Sequence, residues 1–179
     1  TTNGILLAKH AQKLKDSGLN RVTISLDALD TEVFQHMGDT AHSPGEVVEG
    51  IDAALKAGLG VKINTVVQRN VNENQLGKIA LMAHKRQIIP RFIEFMDVGS
   101  TNQWNLESVV SGEQIRKILS ESIGPLTPVS SDHPSDVAKR WKTDDGDHIG
   151  LIQSVTAPFC GDCSRARLSA NGSMYTCLF

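Results

Sequence analysis

Cys160, Cys163 and Cys177 are all the thiols this chain contains, and they stand in a C-x2-C-x13-C arrangement. A pair two residues apart can grip one metal centre from a single turn, and a third thiolate arriving from a later strand closes the site. Zinc, with His148 or His133 as a fourth ligand, and an iron–sulfur cluster both suit this spacing. A thioredoxin-like redox pair suits it less, because Cys160 and Cys163 do not open the helix of a βαβ pattern. Cys163, Arg165 and Arg167 fall at alternate positions of an expected strand, so a metal ligand and two guanidiniums face one space. Like charges side by side repel unless an anion lies between them, and a guanidinium grips phosphate or carboxylate oxygens as a planar fork. Either arginine alone would be read as a solvent-facing residue of an edge strand. Beside a metal ligand the pair points to an anionic substrate.

A second set of polar residues lies on segments that read as buried strands. With period two, Thr23, Ser25 and Asp27 share one face, Lys62 and Asn64 share one, and Glu94 and Met96 share one. Parallel strands covered on both faces are almost wholly apolar, and these are not. The plain account is a Lys62 to Glu94 ion pair with Ser25 and Asn64 satisfying backbone groups. Three consecutive strands repeating the feature favour a ligand cavity at their carboxyl ends, where the loops of a (β/α) barrel open.

The elements that must position these residues alternate through the first half. Asn3 is placed to cap a helix with the stripe Leu7, Ala11 and Leu14, ended by Gly18, before a strand at residues 22–26. Ser43-Pro44-Gly45-Glu46 is a capping box opening a helix with Val47, Ile51, Ala54 and Leu55 inward and a stop at Gly58. A strand at 61–67, a helix capped by Asn72 with Leu76, Ile79, Ala80 and Ala83 inward, and a strand at 91–96 follow. That alternation makes a parallel sheet, whole or part of a (β/α) barrel. After residues 97–105 the pattern changes. A second capping box, Ser111 to Gln114, starts a helix, and antiparallel strands are expected around 137–142, 148–155 and 164–169, with residues 144–147 turning the first pair. The expected division is residues 1–100 as barrel and 101–179 as a small β-rich region carrying the cysteines. For the last hairpin, a two-residue Asn171-Gly172 loop would pair Ala166 with Cys177. A three-residue loop, Ala170-Asn171-Gly172 with Gly172 left-handed, pairs Arg165 with Cys177 and keeps the thiols on one side.

The totals bound the partners. With 179 residues, 40% of them hydrophobic, and a net charge of −2, the chain can bury an ordinary core but lacks the basic excess of a general nucleic-acid or membrane-surface binder. No apolar run approaches a transmembrane helix, and the first residues lack the layout of a signal peptide. The expectation is a cytoplasmic protein, where reduced thiols bind metal more readily than they form disulfides.

Thr1-Thr2-Asn3-Gly4, the segments at 24–30, 61–67 and 91–99, and FCGDCSRARLSANG with its closing CLF resemble the GTP 3',8-cyclases, the radical S-adenosylmethionine enzymes that begin molybdenum cofactor synthesis. The likeness runs through nearly the whole chain. It implies a partial barrel holding a first 4Fe-4S cluster and S-adenosylmethionine, and a C-terminal region holding a second, auxiliary 4Fe-4S cluster against GTP. By matching motifs, Thr1, Lys62, Arg165 and Arg167 take the family's GTP-binding roles and Ser25 and Met96 its S-adenosylmethionine-binding ones. Cys160, Cys163 and Cys177 take the auxiliary cluster, leaving one iron open for the guanine. In the resembling enzymes a deoxyadenosyl radical removes the ribose 3' hydrogen of GTP so that C3' bonds to C8. The family's first cluster uses a C-x3-C-x2-C motif that this chain lacks, and its glycine-rich tail is missing too. The resemblance therefore implies a fragment, inactive by itself, whose first cluster ligands lie upstream. A homodimer is left open. Rival readings are another radical S-adenosylmethionine enzyme with an auxiliary cluster and a zinc-stabilised binding module without catalysis.

Overall fold

Alternating burial along the first strands shows how the sheet is covered. In the computed structural model, which describes residues 1–98, 104–130, 136–158, 160–162 and 165–177 (Asp162 by its backbone alone), α1 (Leu7–Asp16) precedes β1 (Arg21–Ser25). Then come α2 (Thr31–Gly38), α3 (Pro44–Lys56), β2 (Gly60–Val67), α4 (Leu76–His84) and β3 (Ile89–Glu94). β1 and β2 pair in parallel, as do β2 and β3, and in each strand every second residue is buried. The buried row, with Ile24, Ile63 and Phe92 at its centre, packs under Val47, Ile51, Ala54, Leu76 and Ile79 of the helices. Each of the larger side chains among them contributes roughly 1.5–3 kcal/mol. The other row is half-buried and carries the polar residues.

α5 (Gly112–Ile123) then leads to β4 (Thr127–Val129), β5 (Lys139–Lys142) and β6 (His148–Ile152). β4 and β5 pair antiparallel, as do β5 and β6, with Gly146 at φ +94° in the expected turn. However, β6 also lies parallel to β3, so one sheet of order β1-β2-β3-β6-β5-β4 runs across the change of pattern near residue 100. The reason is burial: Ile149 to Ile152 are all buried, which one covered face alone would not produce. A separate ribbon of β7 (Arg167–Leu168) and β8 (Met174–Tyr175) ends the described chain.

Ser43 and Ser111 open their helices as read, with the Ser43 N–H donating to Glu46 Oε2 at 2.8 Å and the Ser111 N–H to Gln114 Oε1 at 3.0 Å. The two asparagines do not cap. Asn3 accepts from the Ile5 N–H, and α1 begins only at Leu7. Asn72 instead accepts from the Gln68 N–H at 2.9 Å and donates from Nδ2 to the Asp27 and Val66 carbonyls, bracing the ends of β1 and β2. A 3-10 turn, Glu73–Gln75, stands between it and α4. Helix α2 has no counterpart in the sequence reading, although Asp30 caps it, accepting from Glu32 and Val33 N–H.

The final hairpin takes the three-residue loop. Arg167 pairs with Tyr175 and Leu168 with Met174, a register whose continuation sets Arg165 opposite Cys177. Gly172 sits at φ +84° and its N–H donates to the Ser169 carbonyl, a backbone conformation that a residue with a side chain rarely adopts.

Candidate functional site

β2, β3 and β6 turn one half-open face toward the thiol-bearing end of the chain. Their registers align Asn64 with Arg91 and, one strand further, Arg91 with Gly150 and Ile93 with Ile152. Over this face stand Cys160, at the start of a 3-10 turn, and Arg165, Arg167 and Cys177 of the final hairpin. Together with Met96, Ser154 and Pro158 they enclose a cavity of about 610 Å³, a size that admits a small ligand. Three guanidiniums line it, and no carboxylate does among the described residues.

Three polar atoms in its wall lack partners. Asn64 Oδ1, Arg91 Nε and Ser154 Oγ are buried without a hydrogen bond among the described residues. Buried polar groups are nearly always paired, so a cluster of unpaired ones on one cavity asks for a ligand or ordered water. Arg91 Nη2 does reach Thr23 Oγ1 at 3.3 Å. Burial, and then the neighbouring Arg21, hold the Arg91 pKa below its ordinary value.

Arg91 and Val137 also belong to the wall of a second cavity, of about 220 Å³, toward the amino ends of β2, β3 and β6. Lys62, Asp136, Arg140 and His148 line this one. Burial pushes the Lys62 pKa down, and the charges of Arg91, Arg21 and Arg140 add to that.

Of the residues singled out from sequence, Met96, Cys160, Arg165, Arg167 and Cys177 therefore meet in one cavity and Lys62 in its neighbour. Ser25 stands beside Asn64 across the β1–β2 register, one strand away from the cavity wall. Thr1 lies in a different hollow, with Arg21 and Leu14. Cys163 and His133 lie outside the described residues. His148 lines the second cavity rather than the one that holds the thiols.

Two readings of the strands need correction. Glu94 does not share a face with the cavity residues and does not pair with Lys62. It is fully buried on the helix side, where Oε1 accepts from the Gly112 N–H at 2.7 Å and from Thr156 Oγ1, and Oε2 from the Val155 and Thr156 N–H groups, each at 2.8 Å. The residue that occupies the polar face instead is Arg91. Its alternation with Glu94 was visible in sequence, but the side of the sheet covered by helices was not. Met96 follows β3 and reaches the cavity from the loop.

Asp27, at the end of β1, accepts from the Val66 N–H at 2.7 Å. Burial pushes its pKa up to about 6, with the Val66 bond pulling the other way. A folded-state pKa above the unfolded one gives stability that is fully present below the ordinary carboxylate range and is lost as pH rises through about 6. Asp27→Asn keeps an acceptor for Val66 and removes the charge. Relative to the parent it should gain on the order of 1–2 kcal/mol between pH 4 and pH 7.5. Urea unfolding at the two pH values checks this, and a difference independent of pH would refute it.

Residues 88–179 match the family described as Molybdenum Cofactor Synthesis C, and residues 1–83 match the Radical SAM superfamily. Among curated proteins, a GTP 3',8-cyclase of Xanthomonas campestris pv. campestris (strain B100) is 46% identical over 183 residues, covering 100% of this chain and 53% of that protein. A GTP 3',8-cyclase of Acidothermus cellulolyticus is 45% identical over 100% of this chain and 50% of its own length. For one of Staphylococcus carnosus the figures are 43%, 100% and 53%. The chain spans about half the length of these relatives. Among the described residues no helix is long and apolar enough to cross a membrane.

Proposed function

Because this chain belongs to the molybdenum cofactor synthesis C family, we propose that it is the GTP-holding part of a radical S-adenosylmethionine GTP 3',8-cyclase, which converts GTP to (8S)-3',8-cyclo-7,8-dihydroguanosine 5'-triphosphate. The observation that carries this reading is the large cavity, where two thiols, three guanidiniums and three buried polar atoms without a hydrogen bond among the described residues meet. In this reading residues 1–100 contribute barrel and residues 101–179 the auxiliary-cluster region, in a cytoplasmic protein whose thiols stay reduced.

The donor set fits a thiolate-bound iron–sulfur cluster in part. Cys160 and Cys177 supply soft ligands at one cavity. Among the described residues no group of three or more His, Cys, Asp or Glu could hold a metal ion, Cys163 being outside them. We assign Cys160, Cys163 and Cys177 to an auxiliary 4Fe-4S cluster. When bound, clusters and S-adenosylmethionine supply the radical chemistry. The chain's own residues bind, orient and shield. Arg165 and Arg167 grip phosphate oxygens, Arg91 and Lys62 extend that positive wall along the sheet, and Asn64 and Ser154 offer hydrogen bonds to the ligand's polar edge. Met96 and Ser25 face S-adenosylmethionine, and Thr1 contributes to GTP binding from the β1 edge. Holding both ligands on a sheet face limits their relative motion, which is the protein's main contribution where a cofactor does the chemistry.

Three thiolates leave one iron of such a cluster open, and we assign that position to the guanine. Anaerobically prepared full-length protein carrying this sequence should contain iron and acid-labile sulfide rather than zinc. The electron paramagnetic resonance spectrum of its reduced auxiliary cluster should change with GTP and show coupling to isotope-labelled guanine nitrogen. A spectrum indifferent to GTP would sink the substrate-ligand assignment, and a zinc content matching the protein would favour the non-catalytic binding module.

A further inference from the structure

We propose that Gly50, in the middle of α3, is a positioning residue for Thr1: its bare backbone is the seat that fixes the turn from Thr1 to Gly4 against the edge of β1. This rests on the reading of Thr1 as a GTP contact, and adds Gly50, to which neither the motifs nor the resemblance gives a role.

Close approach is the first support. Gly50 is buried, and a Cβ built on it would lie 2.6 Å from the Gly4 carbonyl oxygen and 3.1 Å from Leu7 Cβ. A side-chain carbon does not come so near a backbone oxygen, so any residue but glycine forces the turn and the helix apart. The fit is as close from the other side. Gly4 stands at φ +83°, and a Cβ there would lie 2.9 Å from Val47 Cγ1 of α3 and 3.0 Å from Ile24 Cγ2 of β1.

The second support is which partner must yield. Helix α3 is set by the Ser43 capping box and by Val47, Ile51 and Ala54, all fully buried. The turn is a smaller body. Its Gly4 carbonyl accepts from the Leu7 N–H at 3.0 Å and its Gly4 N–H donates to Thr2 Oγ1 at 3.1 Å, so a push on that carbonyl moves the turn as a unit.

The third is where the displacement goes. Thr2 ties the turn to the sheet: its N–H donates to the Thr23 carbonyl and its carbonyl accepts from the Ser25 N–H, each at 3.0 Å. Thr1 precedes it directly and moves with it. Ser25 has a second hold, because β1 is paired along its whole length with β2 and the Leu26 N–H donates to the Asn64 carbonyl at 2.9 Å. The displacement therefore falls on Thr1 and leaves the Ser25 side chain in place.

The experiment uses full-length protein carrying this sequence, with GTP and S-adenosylmethionine in separate calorimetric titrations and amide hydrogen exchange read at Thr2, Ser25 and Val66. Gly50→Ala should weaken GTP about fivefold, the loss of one neutral hydrogen bond, and leave S-adenosylmethionine within about twofold. Exchange at Thr2 and Ser25 should quicken about tenfold, while Val66, whose N–H donates to Asp27, keeps its rate. In Thr1→Ala protein the same change should weaken GTP no further, since the group it misplaces is gone. Ile79→Val, which trims the buried face of α4 away from the turn, is the control and should lower stability without weakening GTP. Val47→Ala opens the space behind Gly4 instead of filling it, and tests the seat if Gly50→Ala folds poorly; it too should quicken exchange at Thr2 and Ser25. Unchanged exchange at those two amides in both variants, an equal loss of GTP affinity in Ile79→Val, or a full fivefold effect of Gly50→Ala on top of Thr1→Ala would overturn the proposal. If exchange quickens while neither Gly50→Ala nor Thr1→Ala alters GTP binding, the seat stands and the reading of Thr1 as a GTP contact falls.

Discussion

Glu94→Ala is expected to cost about 3–5 kcal/mol of folding stability, from several buried donors left unpaired together with the cavity the side chain leaves. Glu94 is fully buried, and its two oxygens serve the backbone N–H groups of Gly112, Val155 and Thr156 and the Thr156 hydroxyl. Each donor left unpaired costs about 1–3 kcal/mol, reduced where water enters the space. The start of α5 is close-packed there: a side-chain carbon added to Gly112 would lie 2.4 Å from Gln153 Nε2. Glu94→Gln, which keeps one acceptor oxygen but sets an amide against N–H donors, should lose less than Glu94→Ala. The effect reaches the site because Val155 and Thr156 lead directly into the segment bearing Cys160. Iron content should fall in Glu94→Ala even below its unfolding midpoint. Urea unfolding with an unchanged slope, alongside iron and sulfide assays, measures both. A loss under about 1 kcal/mol would show that the carboxylate's partners find others readily.

Arg165→Ala and Arg167→Ala, made in the full-length protein, should each weaken GTP binding by about 1.5–3 kcal/mol, roughly ten- to 150-fold. Both side chains line the thiol cavity; Arg165 is exposed and Arg167 half-buried. Arg167 should therefore show the larger loss, since a contact further from bulk water is screened less. Neither residue is a metal ligand, so iron content should remain at the parent level, which separates a lost phosphate contact from a lost cluster. Unchanged GTP affinity in both variants would reject their assignment.

Local chemistry wrote much of this protein legibly. The capping boxes at Ser43 and Ser111, the alternating rows of β1 and β2 and the register of the last hairpin each depend on residues close in sequence or on a fixed period. The convergence of Cys177, Arg165 and Arg167 on one cavity followed from that same hairpin parity.

Long-range partners decided the rest. Period two divides β3 into an Arg91 row and a Glu94 row, but which row is buried depends on where the helices lie. The structure puts Glu94 against α5 and Arg91 toward the cavity. Asn72 has the chemistry of a cap, yet its Oδ1 accepts from the Gln68 N–H and its Nδ2 donates to the carbonyls of Val66 and of Asp27, which follows the distant strand β1. The apolar run of β6 was readable as a strand, whereas its parallel place beside β3 was not, because strand periodicity does not name the neighbour. That pairing sets β5 and Arg140 beside the base of the sheet, and so the second cavity exists only in the folded chain. A sequence determines the types of contact its residues can make; which of several chemically adequate partners is taken depends on what folding brings within hydrogen-bond reach.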